Sequence, residues 1–269
     1  MAAIVAGARA TVDARRARES LTALERRADA AKPRGHLFRD ALVRPGHTNV
    51  VAECKRRSPA RGVLTQAYDP VALASAYERG GAAAVSVLTE PSFFDGDLAH
   101  LRAVRDQVSL PLLRKDFIID EYQLVEARAA GADAVLLIVA ALDRGRLSML
   151  QARADRLGLA TLVEVHTAEE LVRAVDAGAS IIGVNSRNLK TLEVDLAVCE
   201  SLAARIPPAC AAVAESGLHS RNDLRRLQGM GYQAFLIGEW LASAADPAAL
   251  LQSLVEPDPV HEATGPDEP

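Results

Sequence analysis

Eight short apolar runs lie along the chain, at 49–55, 83–88, 111–115, 133–138, 161–164, 181–185, 210–215 and 234–238, and six of them stop at a charged, amide or glycine residue. Their length suits strands, while the intervening segments, such as 71–79, 121–128 and 169–175, carry apolar residues at helical spacing. Strand and helix therefore alternate, the signature of a parallel sheet covered by helices. Gly81, Gly131, Gly178 and Gly231 each follow a helical segment and precede an apolar run. They suit the left-handed residue that closes a helix and recur at roughly 50 residues, about the length of two βα units. Four such double units predict eight strands. An open doubly wound sheet would not repeat so evenly, and no Gly-x-Gly-x-x-Gly follows the first run. The pattern predicts an α/β fold, a (β/α)8 TIM barrel with an N-terminal helical extension.

The chain divides accordingly into an extension at 1–45 packed on the barrel, the barrel at 46–254, and a tail at 255–269. Helical periodicity in the extension runs from about residue 8 to about 32 through Val12, Leu21 and Leu24. Its arginines are interspersed with acids, so they read as a solvated face capping the barrel rather than an anion-binding one. The tail is acidic, rich in proline and poor in apolar residues, a composition that predicts disorder.

In a barrel the C-terminal ends of all strands meet at one rim, which would gather Glu53, Lys55, Lys115, Glu164, Asn185 and Glu215 around one cavity. Side chains alternate along a strand, so Glu53 and Lys55 share the inward face and Cys54 points into the helix layer; likewise Lys115 faces in with Leu113 and Arg114 faces out. Placing an acid and a base at the end of an apolar strand costs several kcal/mol unless they partner each other or a ligand. A mutual ion pair closing the barrel mouth would suffice for Glu53 and Lys55 alone. Further strands contribute similar groups, which favours a site. A lysine among other cations would have its pKa depressed, and Lys115 is then either a proton donor or an amine nucleophile. Glu164 is its carboxylate partner, and Asn185 with Arg187 supplies donors. The loops after the seventh and eighth strands, Glu215-Ser216-Gly217 and Gly238-Glu239, stand where such barrels hold phosphate on backbone amides.

Composition narrows the function without naming it. A formal charge of -4 and few aromatics carry no nucleic-acid footprint. No run approaches the ~18 apolar residues of a membrane span. The three cysteines, Cys54, Cys199 and Cys210, form no metal-ligand spacing, and the first residues do not resemble a secretory signal, so a reducing cytoplasmic compartment is expected. No metal site is expected, since His166 and His219 lack ligand-spaced neighbours.

Six motifs in fixed order carry a resemblance: Glu53-Cys54-Lys55-Arg56-Arg57-Ser58-Pro59, Ser86-Val87-Leu88-Thr89-Glu90, Leu113-Arg114-Lys115-Asp116-Phe117, Leu162-Val163-Glu164-Val165-His166, Asn185-Ser186-Arg187-Asn188-Leu189 and Glu215-Ser216-Gly217. From about residue 10 to about 250 the chain resembles indole-3-glycerol phosphate synthase of tryptophan biosynthesis. The resemblance implies conversion of 1-(2-carboxyphenylamino)-1-deoxyribulose 5-phosphate into indole-3-glycerol phosphate, carbon dioxide and water, without a cofactor. It implies Lys115 as general acid, Lys55 as cationic anchor, Glu164 as the proton-transfer carboxylate, Glu53 and Asn185 as positioning residues, and Glu215 as electrostatic support. It also implies Arg187 against the anthranilate carboxylate, and Ser58, Ser216, Gly217, Gly238 and Glu239 at the mouth around the phosphate. Phe117, with Phe93 and Phe94, packs on the aromatic ring or belongs to the core. The expected partner is this small phosphorylated molecule, bound by a monomer with no nucleic acid or membrane. A Schiff-base aldolase and a non-catalytic sugar-phosphate-binding barrel are the alternatives. Three positions depart from the family pattern: Glu121 where proline is frequent, Glu239 where some members have serine, and Trp240 where a small residue is common.

Overall fold

A computed structural model describes residues 2–65 and 67–256. The eight runs become β1 (Asn49–Cys54), β2 (Ala84–Leu88), β3 (Leu112–Lys115), β4 (Ala134–Ile138), β5 (Ala160–Val165), β6 (Ile181–Asn185), β7 (Ala211–Glu215) and β8 (Ala234–Ile237). Each pairs in parallel with the next, and β8 closes the barrel on β1 from Asn49 opposite Ala234 to Ala52 opposite Ile237. The two-residue period separates two cores. Val51, Leu113, Leu136, Leu162, Val213 and Leu236 fill the interior, whereas Val50, Ala52, Cys54, Val85 and Val87 pack beneath the helices.

Most barrel helices start on a residue whose short side chain accepts from the first turn: Asp69, Asp97, Asp120, Asp143, Thr167, Ser220 and Asp246. The four periodic glycines run left-handed, with φ of +85°, +88°, +84° and +104°, so the repeat in the sequence is a repeat of helix terminations. The helix Glu121–Ala129 shows how Glu121 replaces proline at a helix start. Asp120 and Gln123 form a reciprocal capping box, which satisfies the exposed amides without a fixed φ.

The N-terminal segment is three helices, α1 (Ala2–Arg18), α2 (Leu21–Ala30) and α3 (Gly35–Leu42), where the sequence pattern gave one from about 8 to about 32. Ser20 caps α2 and breaks the pattern there. Two of the arginines of α1 are tied to the barrel helices, Arg15 to Glu126 at 3.0 Å and Arg16 to Asp120 at 2.8 Å. Eight residues give α3 too little sequence for a periodic signal, yet its Phe38 and Leu42 plug the N-terminal end of the barrel interior. The Asn49 amide donates to the Leu42 carbonyl at 3.0 Å and fixes that plug to the start of β1. From residue 257 on, the expected tail lies outside the described residues. Among the described residues no helix is long and apolar enough to cross a membrane.

Candidate active site

The strand registers bring the polar endpoints together. Leu88 pairs with Lys115, Ile138 with Glu164, Glu164 with Gly183, and Asn185 with Glu215, so neighbouring strands end at one level. At its centre the Lys115 ammonium lies 2.8 Å from Glu215 Oε2 and 3.3 Å from Glu164 Oε2. All three side chains are nearly removed from solvent. Gly183 makes this possible: it faces inward on β6, and a Cβ there would collide with Glu215 Oε1. Gly238 does the same at the end of β8, where a Cβ would collide with Glu53 Oε1 and crowd Lys55 Nζ. The space left is filled by the Glu53–Lys55 ion pair at 2.6 Å.

Cations around Lys115, as the sequence pattern suggests, would lower its pKa; the barrel instead places it among carboxylates. Burial does act to lower it, but Glu215, Glu164 and Glu53 outweigh burial and hold the ammonium above the ordinary lysine range. Burial alone would raise Glu164, but Lys115, His166 and a hydrogen bond from Asn185 keep it below the usual carboxylate value. Glu215 goes the other way. Burial pushes it up to about 7, with Lys115 opposing and Glu164 adding repulsion. Two carboxylates on one ammonium thus differ in charge near neutrality, the arrangement that separates acid and base roles. A lysine held as ammonium is a poor amine nucleophile, which weighs against the Schiff-base alternative.

Around this centre the cavity is lined by Glu53, Lys55, Glu90, Phe94, Lys115, Phe117, Leu136, Ile138, Glu164, Asn185, Arg187, Leu189, Glu215, Ser216, Gly217, Gly238, Glu239 and Trp240, among others. The Glu239 carboxylate forms an ion pair with Arg61 Nε at 2.6 Å and lies 3.9 Å from Arg187 Nη2, so it ties the loop after β1 to the loop after β6. Arg187 also donates to the Leu192 carbonyl at 3.0 Å. Ser216 and Gly217 are left-handed in succession, with φ of +66° and +77°, and turn the chain back immediately beyond Glu215. Holding a serine there costs about 1–3 kcal/mol, which is tolerated where the surroundings over-determine the backbone.

A family model for indole-3-glycerol phosphate synthase matches residues 1–254. The chain belongs to that family. It is 50% identical over 253 residues to the indole-3-glycerol phosphate synthase of Parafrankia sp. (strain EAN1pec), across 94% of this chain and 93% of that protein. It is 51% identical over 252 residues to that of Mycolicibacterium smegmatis, across 94% and 92%. The thiamine phosphate pyrophosphorylase of Pyrococcus furiosus superposes with a TM-score of 0.60 at 17% identity, across 81% of this chain and 95% of that one, a likeness of fold alone. Indole-3-glycerol phosphate synthases are carboxy-lyases of tryptophan biosynthesis, and that is the activity of the family to which this barrel belongs.

Of the residues that the family resemblance singles out, Ser58 does not reach the cavity. Its hydroxyl accepts from the Arg61 amide at 3.1 Å and shapes the loop that presents Arg61 to Glu239. Phe93 is 37% exposed and also lies outside, while Phe94 and Phe117 pack together with centroids 6.4 Å apart on the wall. Cys54 faces the helix layer as its alternation implies, and burial pushes its thiol upward, away from reactivity. Trp240 joins the wall, so its bulk is part of the pocket. Glu90 and Asp116 also line the cavity without having been assigned roles, although both follow apolar runs and carried the same signal as Glu164. Arg61, in the loop after β1, carries no such signal. Among the described residues no group of three or more His, Cys, Asp or Glu side chains is placed to hold a metal ion.

Proposed function

We propose that this cavity closes the indole ring of 1-(2-carboxyphenylamino)-1-deoxyribulose 5-phosphate with Lys115 as general acid and Glu164 as the proton-transfer carboxylate. The observation that carries this is the Lys115 ammonium held between Glu164 and Glu215 at the base of the cavity. In the first step the carboxylate-bearing ring carbon attacks the ketone carbon, and the ketone oxygen takes a proton from Lys115 Nζ. Loss of carbon dioxide returns the bonding pair to the iminium and restores the aromatic ring. The new hydroxyl then leaves as water with a second proton, and Glu164 accepts the proton released from the carbon beside nitrogen. The ring closure needs orientation and charge stabilisation, which a buried, preorganised set of charges supplies.

Arg187 and Lys55, both on the wall, are the cations for the substrate carboxylate, with Asn185 and Glu53 holding Glu164 and Lys55 in place. The phosphate lies against the amides of Ser216, Gly217, Gly238 and Glu239 and the Ser216 hydroxyl. Arg61 neutralises the Glu239 carboxylate, so an anion can approach the backbone there. Phe94, Phe117 and Trp240 cover the aromatic ring. No cofactor enters these steps. A monomer suffices for these steps, and the three unpaired thiols suit the reducing cytoplasm.

Incubation with the carboxyphenylamino-deoxyribulose phosphate, followed by indole absorbance, tests the assignment. Lys115→Met is expected to lower kcat by about 10²–10⁴-fold, the range for losing a positioned acid. Equal rates for the two proteins would remove Lys115 as the acid, and no product from the wild type would remove the activity.

A further inference from the structure

The net reaction requires a route by which solvent restores the proton that each turnover consumes. The substrate carboxylate departs as neutral carbon dioxide. Two protons are given up, to the ketone oxygen and to the departing water, and one is recovered from carbon. Each turnover therefore consumes one proton from solvent. Glu164 and Glu215 are only 2% and 1% exposed, and a bound substrate would cover the cavity mouth above them.

His166 provides a connection on the other side of Glu164. It follows Glu164 by two residues on the same face of the chain, one step further up the rim. Its Nε2 lies 3.4 Å from Glu164 Oε1, the oxygen that does not face Lys115. Its Nδ1 lies 3.2 Å from Glu170 Oε2, and that same carboxylate oxygen accepts the His166 amide at 2.7 Å, so the ring is held from two points. Glu170 stands in the first turn of the helix Ala168–Asp176, and the side chains of both His166 and Glu170 keep some solvent contact. His166 does not line the cavity, which makes it unlike the other charged groups at the rim.

We propose that His166, with its tautomer set by Glu170, is a positioning residue that carries the consumed proton from solvent to Glu164 and through it to Lys115. The Nε2–H bond breaks as an O–H bond forms on Glu164 Oε1. The protonated carboxyl turns to present Oε1 to Lys115 Nζ and gives up that proton, restoring the ammonium and the Glu164 carboxylate. The imidazole is left neutral with Nδ1–H on Glu170; Nε2 is enclosed in the resting site, so the ring turns outward, where its side chain keeps solvent contact, to take a proton from hydronium or a buffer acid before returning to Glu164. A carboxylate on the far ring nitrogen is the usual device for fixing which nitrogen exchanges the proton. The charged groups facing the ring are Glu164 from its own strand, Glu170 from the following helix and Glu215 from β7. Burial acts to lower its pKa, but Glu170 and Glu164 prevail and hold it above the ordinary histidine value.

The proposal rests on Glu164 as the proton-transfer carboxylate, and single-turnover kinetics in variants separate the two. In His166→Gln the single-turnover rate should fall by about tenfold or more above neutral pH with KM within about twofold, the pattern of a lost proton-transfer group rather than lost binding. Imidazole should restore the rate of His166→Ala. Glu170→Gln keeps an acceptor for the His166 amide and should move the basic limb of the pH profile to lower pH. A wild-type rate and pH profile in His166→Gln would overturn the relay, as would a deficit in His166→Ala that imidazole leaves unchanged. Should the histidine variants not fold, an unmoved basic limb in Glu170→Gln overturns it by itself. Glu164→Gln distinguishes the failures: a wild-type rate there removes the underlying role of Glu164, whereas an inactive Glu164→Gln beside fully active His166 variants removes only the relay.

Discussion

Gly183 carries no side chain, and the centre of the cavity depends on that. Glu215 reaches across to Lys115 through the volume a Cβ would occupy, with its Oε1 directly over the glycine. Gly183→Ala is therefore expected to displace Glu215. We expect a stability loss of about 1–3 kcal/mol from overpacking, and a kcat lowered by roughly tenfold as the ammonium loses its shorter partner. Denaturant melts and steady-state kinetics on the same preparation check this, and unchanged kcat would mean that Glu215 is not needed where it stands. At this scale the sequence was legible wherever strand alternation alone decides a direction, as for Glu53, Lys55, Cys54 and Arg114. It was not legible for Gly183 or for the sign of the Lys115 shift, because both depend on which residue of another strand lies opposite.

The packing of one strand against one helix explains the outward side of β3. Arg114 is fully buried between the barrel and the helix Glu121–Ala129. Its guanidinium donates to Thr89 Oγ1 at 3.1 Å, the Gln123 carbonyl at 2.7 Å, Asp116 Oδ2 at 2.8 Å and Glu126 Oε2 at 3.3 Å. Arg15 of α1 closes the cluster over Glu126. Replacing Arg114 by leucine would strip Asp116 and Glu126 of their main partner. Removing one side of a buried ion pair typically costs about 3–5 kcal/mol, because the other charge stays buried. Arg114→Leu is expected to lose stability in that range, measured by chemical denaturation, and a loss no larger than that of an exposed arginine would show that water replaces it. Alternation predicted that Arg114 points outward. That it would be buried there could not be read locally, since α1 and α2, far away in the chain, cover the helix it packs against.

Across the whole molecule, closing the barrel forces carboxylates from several strands into one volume and sets how stability responds to pH. Glu215 keeps its proton in the folded state up to about 7, against 4.5 for the ordinary group. Through that window the folded chain binds more protons than the unfolded one, so this contribution is complete below the unfolded value and is lost as pH rises through the folded one. Glu164 has the opposite sign. Its contribution is present above the ordinary carboxylate value and is lost as pH falls. Glu215→Gln removes the first term, so the melting temperature of the variant should gain on the wild type between about pH 5 and about pH 8. Parallel curves for the two proteins would refute the shifted carboxyl.

The amino-acid sequence by itself determined the order and kind of the barrel elements. Apolar runs, helical spacing and recurrent helix-closing glycines are local properties, and each reports only on the few residues around it. It also determined which side chains end on the inner face at the rim, since a two-residue period needs no partner. Only the tertiary structure decided what those side chains meet: Lys115 among carboxylates, Glu239 under Arg61, Ser58 and Phe93 outside the cavity, α3 as a plug, and His166 between Glu164 and Glu170. Those outcomes depend on strand register and on contacts between residues far apart in the chain, where charge, burial and space are shared by groups that no local pattern connects.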